Sequence, residues 1–421
     1  LYLCADRVRT GSACYDGLPD GRALHKFPGI LYLMDFPGIS DALFCKKGKG
    51  RDRKMKKILA GFIMDGHSGG IDKYLLNFLE NVNSENVQVD FLTNEIDGEL
   101  EAYLKRYGSS IFAIANLRHP YAQYRQVREI LDKGNYDIVY LNISTAIDCI
   151  TAWAARRKKV PRILLHSHSS GNDCESTVKR RIFNTIHYIC RLFLYRAGTE
   201  YYGCSEKAGL WMFPEKIVRS KDFHTIFNAV NLEKFAYDPS VREEVRKELK
   251  LENKFVVGHA GNFVYQKNHY FLIDVFEALK KSCPQAVLVL AGTGERFETV
   301  KKILHEKELE DSVRLLGFRS DMERLMQGMD FFLLPSYFEG LPTVAVEAQA
   351  SGLPCLMSDT ITREAKITEN CWFLSLKDHP DKWSDFVLEH RNGDREKISW
   401  VGNKEQYSME KLKEQQRMLL E

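Results

Sequence analysis

Apolar runs of strand length recur from about residue 55 onward, separated by stretches with helical spacing. Candidate strands fall at 58–63, 87–93, 111–114, 137–142, 162–167 and 200–204, with helices between them such as Ile71 to Val82 and Tyr121 to Asp132. After Asn228 the pattern begins again. Strands at 254–260, 286–291, 313–316, 331–335 and 354–357 alternate with helices at 268–282, 296–307, 321–328 and 342–350. Strict alternation of strand and helix predicts parallel sheets wrapped by helices. The fold class is therefore α/β, with two doubly wound, Rossmann-like domains facing each other across a cleft. They span 55–227 and 228–395, joined by the short stretch around Asn228 to Asp238, and a tail at 396–421 contains a helix-like segment, Met409 to Leu420. Residues 1–54 show no sustained period and end in the basic run Lys46 to Lys54. They are expected to be an upstream extension without a stable fold. A targeting arm is the rival reading, weakened by the glycine and proline that break the apolar stretch Phe27 to Phe36.

Composition changes this picture little. At 421 residues two domains are the natural expectation, and 44% hydrophobic residues suffice for two cores. A net charge of +3 is too mild to argue for nucleic acid. The ten cysteines are scattered without a C-x-x-C pair, which predicts free or buried thiols in a reducing cytosol, not a zinc site or a disulfide framework. No apolar run approaches the roughly 20 residues that a membrane span needs, and no secretory signal is visible.

The stretch 330–354 carries the candidate chemistry. Phe331 to Pro335 reads as a strand, Tyr337 to Leu341 as a turn and Thr343 to Ala350 as a helix, with Pro342 at its first position and Gly352 at its end. The amides of Thr343, Val344 and Ala345, with the helix dipole, form a seat for an anion such as a diphosphate. Glu339 and Glu347 frame that seat. A carboxylate beside an anion is unfavourable unless it binds neutral hydroxyls, which suggests a ligand with a sugar ring and a ribose. Both sit at the C-terminal edge of a strand, where open α/β sheets bind ligands. In the first domain, Gly69 and Gly70 follow a strand and precede a helix, so backbone there can approach a phosphate; the loop lacks the full G-x-G-x-x-G fingerprint. Gly292 and Gly294 form a second such turn, either lining a cleft or simply turning the chain. Lys267, at a predicted helix start, can reach a diphosphate as a point charge. His166 and His168 share one face of a strand end, with no third metal ligand evident. Phe318 and Arg319, after strand 313–316, are placed to border a base. The segment from Lys179 to Arg196 carries Ile182, Phe183, Ile186, Ile189, Leu192 and Phe193 at helical spacing among basic residues, and Arg156 to Lys159 add a second basic run. This pattern fits either an anionic membrane contact or a helix packed on the core.

Four motifs carry a family resemblance: E-G-L-P-T-V-A-V-E-A from Glu339, S-G-G at Ser68 to Gly70, Q-K-N-H at Gln266 to His269, and N-A-V-N-L-E-K-F at Asn228 to Phe235. Together they resemble the retaining glycosyltransferases of the GT-B fold, family 4, of the bacterial exopolysaccharide and capsule type. The resemblance implies transfer of a sugar from a nucleotide diphosphate sugar to a glycan or polyprenyl-linked acceptor, with retained anomeric configuration. It implies a catalytic set of Glu339, His168 (preferred over His166) and Lys267. The donor site would comprise Gly69, Gly70, Asn262, Lys267, Gly292, Gly294, Phe318, Arg319, Glu339, Gly340, Leu341, Thr343, Val344 and Glu347, with Glu347 on the ribose and Glu339 on the donor sugar. The family usually has an arginine where this chain has Asn262, so one cation is missing or supplied elsewhere. No cofactor beyond the donor is implied and no metal is expected, since no D-x-D triplet occurs in a candidate loop. The C-terminal helix would cross back onto the first domain. The implied location is cytoplasmic, at the inner face of the cell membrane, with no nucleic-acid partner. Two alternatives stay open: a GT-B-like sugar-nucleotide 2-epimerase and a non-catalytic nucleotide-sugar-binding subunit.

Overall fold

The computed structural model describes residues 55–66 and 69–421; the 1–54 extension and Ser68 of the S-G-G loop lie outside them. The first sheet has seven parallel strands: β1 (Lys56–Gly61), β2 (Val87–Thr93), β3 (Ile111–Ala113), β4 (Ile138–Ile143), β5 (Arg162–Ser167), β6 (Glu200–Gly203) and β7 (Phe223–Thr225), in the order β3-β2-β1-β4-β5-β6-β7. Helices α1 (Gly70–Val82), α2 (Gly98–Lys105), α3 (Pro120–Gly134), α4 (Cys149–Arg157), α5 (Thr177–Ala197), α6 (Glu206–Met212) and α7 (Glu215–Val218) connect them. The second sheet is also all parallel, with β8 (Phe255–Ala260), β9 (Ala286–Ala291), β10 (Val313–Leu315), β11 (Phe331–Leu334), β12 (Cys355–Ser358) and β13 (Cys371–Leu374) in the order β10-β9-β8-β11-β12-β13. Its helices are α8 (Pro239–Glu248), α9 (His269–Ser282), α10 (Phe297–Glu306), α11 (Met322–Gly328), α12 (Thr343–Ala350) and α13 (Pro380–Glu389), and α14 (Met409–Met418) ends the chain.

Both sheets are apolar on both faces, which is why their strands read as continuous runs. Successive residues serve opposite cores. In β4, Val139, Leu141 and Ile143 face one core, while Ile138 and Tyr140 face the other. In β9, Val287, Val289 and Ala291 alternate in the same way with Ala286, Leu288 and Leu290. The first domain's second core also takes in Leu412 and Leu419 of the tail. There α14 lies against α1: Asn81 donates to Gln416 at 2.8 Å, Arg417 donates to the Asn81 carbonyl at 3.0 Å, and Arg162 of β5 reaches the Leu419 carbonyl at 2.9 Å.

Two strands escape the sequence pattern. β7 (FHT) is three residues, none of them buried, and β13 (CWFL), though apolar throughout, is only four residues long and mostly half-buried. Helices α8 and α13 begin with Pro239 and Pro380 after side-chain caps from Asp238 and His379, signals that the apolar spacing alone does not reveal.

Arg395 binds the end of the second domain to its middle. It is 8% exposed, and its guanidinium donates to the carbonyls of Met326, Gln327, Met329 and Ser351 at 2.7–3.1 Å. These carbonyls lie at the C-terminal ends of α11 and α12, where a cation also meets the negative end of the helix dipole. Burial and the nearby Arg242 pull its pKa down to about 9. Replacing Arg395 by alanine would leave several buried carbonyls without donors. Chemical denaturation should then show a loss on the order of 3 kcal/mol. Arg395→Lys should recover only part of it, because an ammonium cannot reproduce the planar fork.

Candidate active site

In an open parallel sheet, the loops on either side of the point where strand order reverses diverge and leave a crevice at the carboxyl ends. In the second sheet that point lies between β8 and β11. The loop after β8 carries Gln266 and Lys267, and the loop after β11 carries Glu339. The two loops meet there. Lys267 Nζ lies 2.7 Å from Glu339 Oε1, and Gln266 Nε2 donates to Glu339 Oε2 at 2.7 Å. Both charged side chains are nearly out of solvent, at 13% and 6% exposure. The Tyr337 amide adds a bond to the Gln266 carbonyl at 2.8 Å, and the rings of Tyr265 and Tyr337 stack at 4.6 Å. The pair supplies a second reason why an acidic residue can stand beside an anion seat: its charge is already balanced by Lys267.

Several local expectations need correction. Lys267 does not open a helix. It ends a short 3-10 turn, Asn268 follows at φ 54°, and α9 starts at His269. Pro342 is the residue before α12, not its first residue. The Ala345 amide is not free, because it donates to the Pro342 carbonyl at 3.0 Å. Among the described residues, only the Thr343 and Val344 amides of that turn have no acceptor. Arg319 is engaged by Asp321 at 2.7 and 2.8 Å and by Glu248 at 3.6 Å, and Phe318 is 67% exposed; neither is joined to the Lys267–Glu339 pair.

The glycines divide into two kinds. A Cβ at Gly292 would lie 2.1 Å from the Gly261 carbonyl oxygen, and one at Gly294 would lie 2.7 Å from the Phe263 backbone, with φ of 144° and 152°. These two are required by the packing of the β8 and β9 loops on each other, alongside Asn262. Gly69 and Gly70 differ. Both have ordinary backbone angles, and a Cβ at Gly70 would meet nothing within 4 Å. Their loop is braced by Asp72, whose buried carboxylate accepts from the amides of Met64, Asp65 and Gly66 at 2.9–3.2 Å. Asp72 was missed in the sequence; an acidic residue in the first turn after a glycine-rich loop is the signal that could have found it.

Glu347, on α12, is half-buried and its carboxylate has no hydrogen-bond partner among the described residues. Burial pushes its pKa up to about 7, against the pull of Lys73 on α1, Lys234 and Lys267, while Glu323 pushes it further up. Lys73 belongs to the first domain, so Glu347 stands where the two domains confront each other. On the first-domain side, His166 and His168 do share a face, with ring centroids 4.1 Å apart. His166 is fully buried and bonded to the Tyr140 hydroxyl at 2.7 Å, which suits a core histidine. His168 is only half-buried, and its Nε2 donates to Asn142 Oδ1 at 2.9 Å, leaving Nδ1 as an acceptor. Burial lowers its pKa to about 3. The backbone of His168 also supports the other domain: a Cβ at Gly340 would lie 2.3 Å from its carbonyl oxygen. Similarly, a Cβ at Gly171 would lie 2.4 Å from the Phe338 ring. The same segment reaches further, with Asp173 accepting from the Gln266 amide at 2.6 Å and Glu175 pairing with Arg296 at 2.5 Å. Among the described residues no group of three or more His, Cys, Asp or Glu side chains could hold a metal ion.

The α5 helix packs on the first domain along a narrow strip. Only His187, Leu194 and Ala197 are buried. Val178, Ile182, Ile189, Leu192 and Phe193 are 47–67% exposed, so this apolar face does not pack on the core.

Comparison with known proteins places these features in context. The family described as Glycosyltransferase Family 4 matches residues 68–234, and that described as Glycosyl transferases group 1 matches residues 241–370. A putative glycosyltransferase of Bacillus subtilis (strain 168), EpsF, is 28% identical over 359 residues, 83% of this chain and 90% of its own. The UDP-Gal:alpha-D-GlcNAc-diphosphoundecaprenol alpha-1,3-galactosyltransferase of Escherichia coli is 28% identical over 275 residues, covering 64% of this chain and 68% of that one. Among solved structures, Anabaena HepE in complex with UDP-glucose superposes with a TM-score of 0.66 at 19% identity, over 86% of this chain and 99% of HepE. Two all-parallel domains, a carboxylate pair spaced across the β11 loop and α12, and these matches over both halves make the chain a glycosyltransferase of family 4 with the GT-B fold.

Proposed function

We propose that this glycosyltransferase moves a sugar from a nucleoside diphosphate sugar to a lipid-linked glycan acceptor, with retention of anomeric configuration, in cell-surface polysaccharide synthesis. The observation that carries the reading is the buried Lys267–Glu339 pair set beside the free Thr343 and Val344 amides. An ammonium has three protons and spends one on Glu339, so it can still bind a phosphate oxygen. The diphosphate rests on Lys267 and the start of α12, where fixed dipoles stabilise charge as the leaving group departs. Glu347 takes the ribose hydroxyls and Glu339 the donor sugar. His168 offers Nδ1 to a sugar hydroxyl from the opposite domain, and Gly69 and Gly70 leave room for the ligand against α1. The lipid-linked acceptor is supported by the Escherichia coli relative, which is named for a diphosphoundecaprenol substrate.

The two alternatives raised by the sequence gain no support from these relatives.

We further propose that α5 docks on an anionic membrane. Its exposed apolar stripe is flanked by Lys179, Arg181 and Arg196, with exposed Arg156 and Arg157 at the end of α4 and Lys159 in the turn after it. No helix of the described residues is long and apolar enough to cross a membrane.

Three tests follow from these assignments. Lys267→Ala should cut kcat by about ten- to several-hundred-fold, as a charge-assisted contact is worth roughly 1.5–3 kcal/mol. Because it also strands a buried carboxylate, the Lys267→Ala/Glu339→Gln pair should lose less than the sum of the single changes. Calorimetry should show that Glu339→Gln spares affinity for the free nucleoside diphosphate, whereas Glu347→Gln weakens it. Equal behaviour of the two glutamine variants would refute the assigned roles.

The second test is pH dependence. With its pKa raised to about 7, Glu347 is largely protonated at pH 6 and ionised at pH 8, and the ionised form accepts ribose hydroxyls better. Affinity for a plain nucleoside, which has no titrating phosphate, should therefore rise between pH 6 and pH 8. The rise should vanish in Glu347→Gln. The raised pKa also means that Glu347 favours the folded state below its unfolded value and that this contribution is lost as pH rises through about 7.

The third test is vesicle co-sedimentation. Binding to anionic vesicles should exceed binding to zwitterionic ones and weaken with salt, since charges are screened over about 10 Å at 0.1 M. Serine at Ile182, Ile189 and Phe193 together should reduce it at least tenfold without lowering the melting temperature.

A further inference from the structure

The loop that carries Glu339 has two sets of attachments. Its side-chain end is fixed from within the second domain by Gln266 and Lys267. Its backbone is fixed from the first domain and from the junction that follows it. Ser170 Oγ donates to the Glu339 carbonyl at 2.5 Å, Ser205 Oγ to the Gly340 carbonyl at 2.7 Å, and Asn228 Nδ2 to the Leu341 carbonyl at 2.9 Å. Three successive carbonyls thus receive three side-chain donors, two from the first domain and one, Asn228, from the junction that follows β7.

The sheet topology explains the match. Ser170 is the third residue after β5, Ser205 the second after β6 and Asn228 the third after β7. These strands are neighbours in that order at one side of the first sheet. Loops leaving adjacent strands about 4.8 Å apart can reach consecutive peptide groups of a segment laid across their ends. The order of donors along the chain equals the order of acceptors in the loop. The close contacts agree with this placement: Gly340 rests on the His168 carbonyl, and a side chain there would also lie 2.7 Å from Cys204 Sγ. Ser205 is fully buried.

We propose that Ser170, Ser205 and Asn228 form a cross-domain clamp that sets the position of Glu339 and of the α12 N-terminus, so that the donor site is completed only when the domains are closed. They are positioning residues: each acts on the backbone of the donor loop, not on the substrate. The nucleotide itself rests on second-domain groups. The clamp should therefore matter to sugar transfer much more than to nucleotide binding. This rests on the donor reading given above, and the test separates the two.

The variants are Ser170→Ala, Asn228→Asp, which keeps shape but cannot donate from that atom, and the Ser170→Ala/Asn228→Asp pair. Ser205 also caps α6 through the Ala208 amide at 3.1 Å, so Ser205→Ala would confound clamp and helix stability. Hydrogen exchange of the peptide spanning Tyr337 to Val346 is read in the protein without ligand. The pair should exchange there at least tenfold faster, with α9 and β9 unchanged. Unchanged exchange in that peptide, or equal acceleration throughout the second domain, refutes the clamp, whatever the substrate proves to be. In transfer assays the pair should lose at least tenfold in kcat while its Kd for the nucleoside diphosphate stays within about threefold. Loss of nucleotide affinity in parallel with kcat, or full kcat despite faster exchange, refutes the positioning role. Wild-type protein that binds no nucleoside diphosphate and transfers no sugar refutes the donor reading, while the exchange result still decides the clamp.

Discussion

Burying a lysine and a glutamate together costs several kcal/mol of hydration for each ion before their attraction is counted. The Lys267–Glu339 pair survives because further hydrogen bonds hold it in one geometry. Gln266 takes the second carboxylate oxygen, the Tyr337 amide joins the two loops, and the glycines at 261, 292 and 294 let the β8 and β9 turns nest closely enough to keep Lys267 in place. The position is fixed by topology. β8 and β11 are the two strands between which the second sheet reverses, and their loops must part around whatever lies at the reversal. Removing either charge would leave the other buried alone, so the two residues constrain each other whether or not substrate is bound.

Much of this was legible in the sequence, and the misses have physical causes. The two sheets were readable because the inner strands are largely buried on both faces, which gives most of them a dense apolar run such as IVYLNI in β4 and AVLVLA in β9. β7 and β13 were not: FHT has a histidine at its centre and no buried side chain, and CWFL is four residues of which only Cys371 is buried. Glu339 and Glu347 were readable because strand, turn and helix follow one another within a few residues. The ion pair was not: its members are 72 positions apart, and no local pattern says which lysine reaches which carboxylate. The spare amides at α12 were overcounted because the first turn folds back on Pro342, a detail of backbone angle. The glycines show the same limit. Sequence gives Gly69–Gly70 and Gly292–Gly294 equal standing, but the fold needs only the second pair.

The domains differ in how they obtain their rigidity. The second ties its own end into its middle through Arg395, whose single guanidinium serves two helix ends at once. Its loop at Glu339 nevertheless depends on contacts from the first domain, and Glu347 faces Lys73 across the same divide. The cleft is thus a boundary where neither half is complete by itself, in keeping with chemistry that requires a donor on one side and an acceptor on the other.

The return of α14 to α1 has a consequence for how the protein is made. The core that contains Ile58, Phe78 and Tyr140 also contains Leu412 and Leu419, which are translated long after them. At about 5–20 residues per second, the interval between synthesis of β7 and of α14 is on the order of ten to forty seconds. Throughout it, the apolar patch that α14 will cover and the side chains of Asn81 and Arg162 await partners not yet translated. The nascent chain therefore carries an open hydrophobic surface on its first domain while the second domain forms, the state in which a chaperone or a neighbouring nascent chain has most access to it. Docking of α14 on α1 is the event that closes this core.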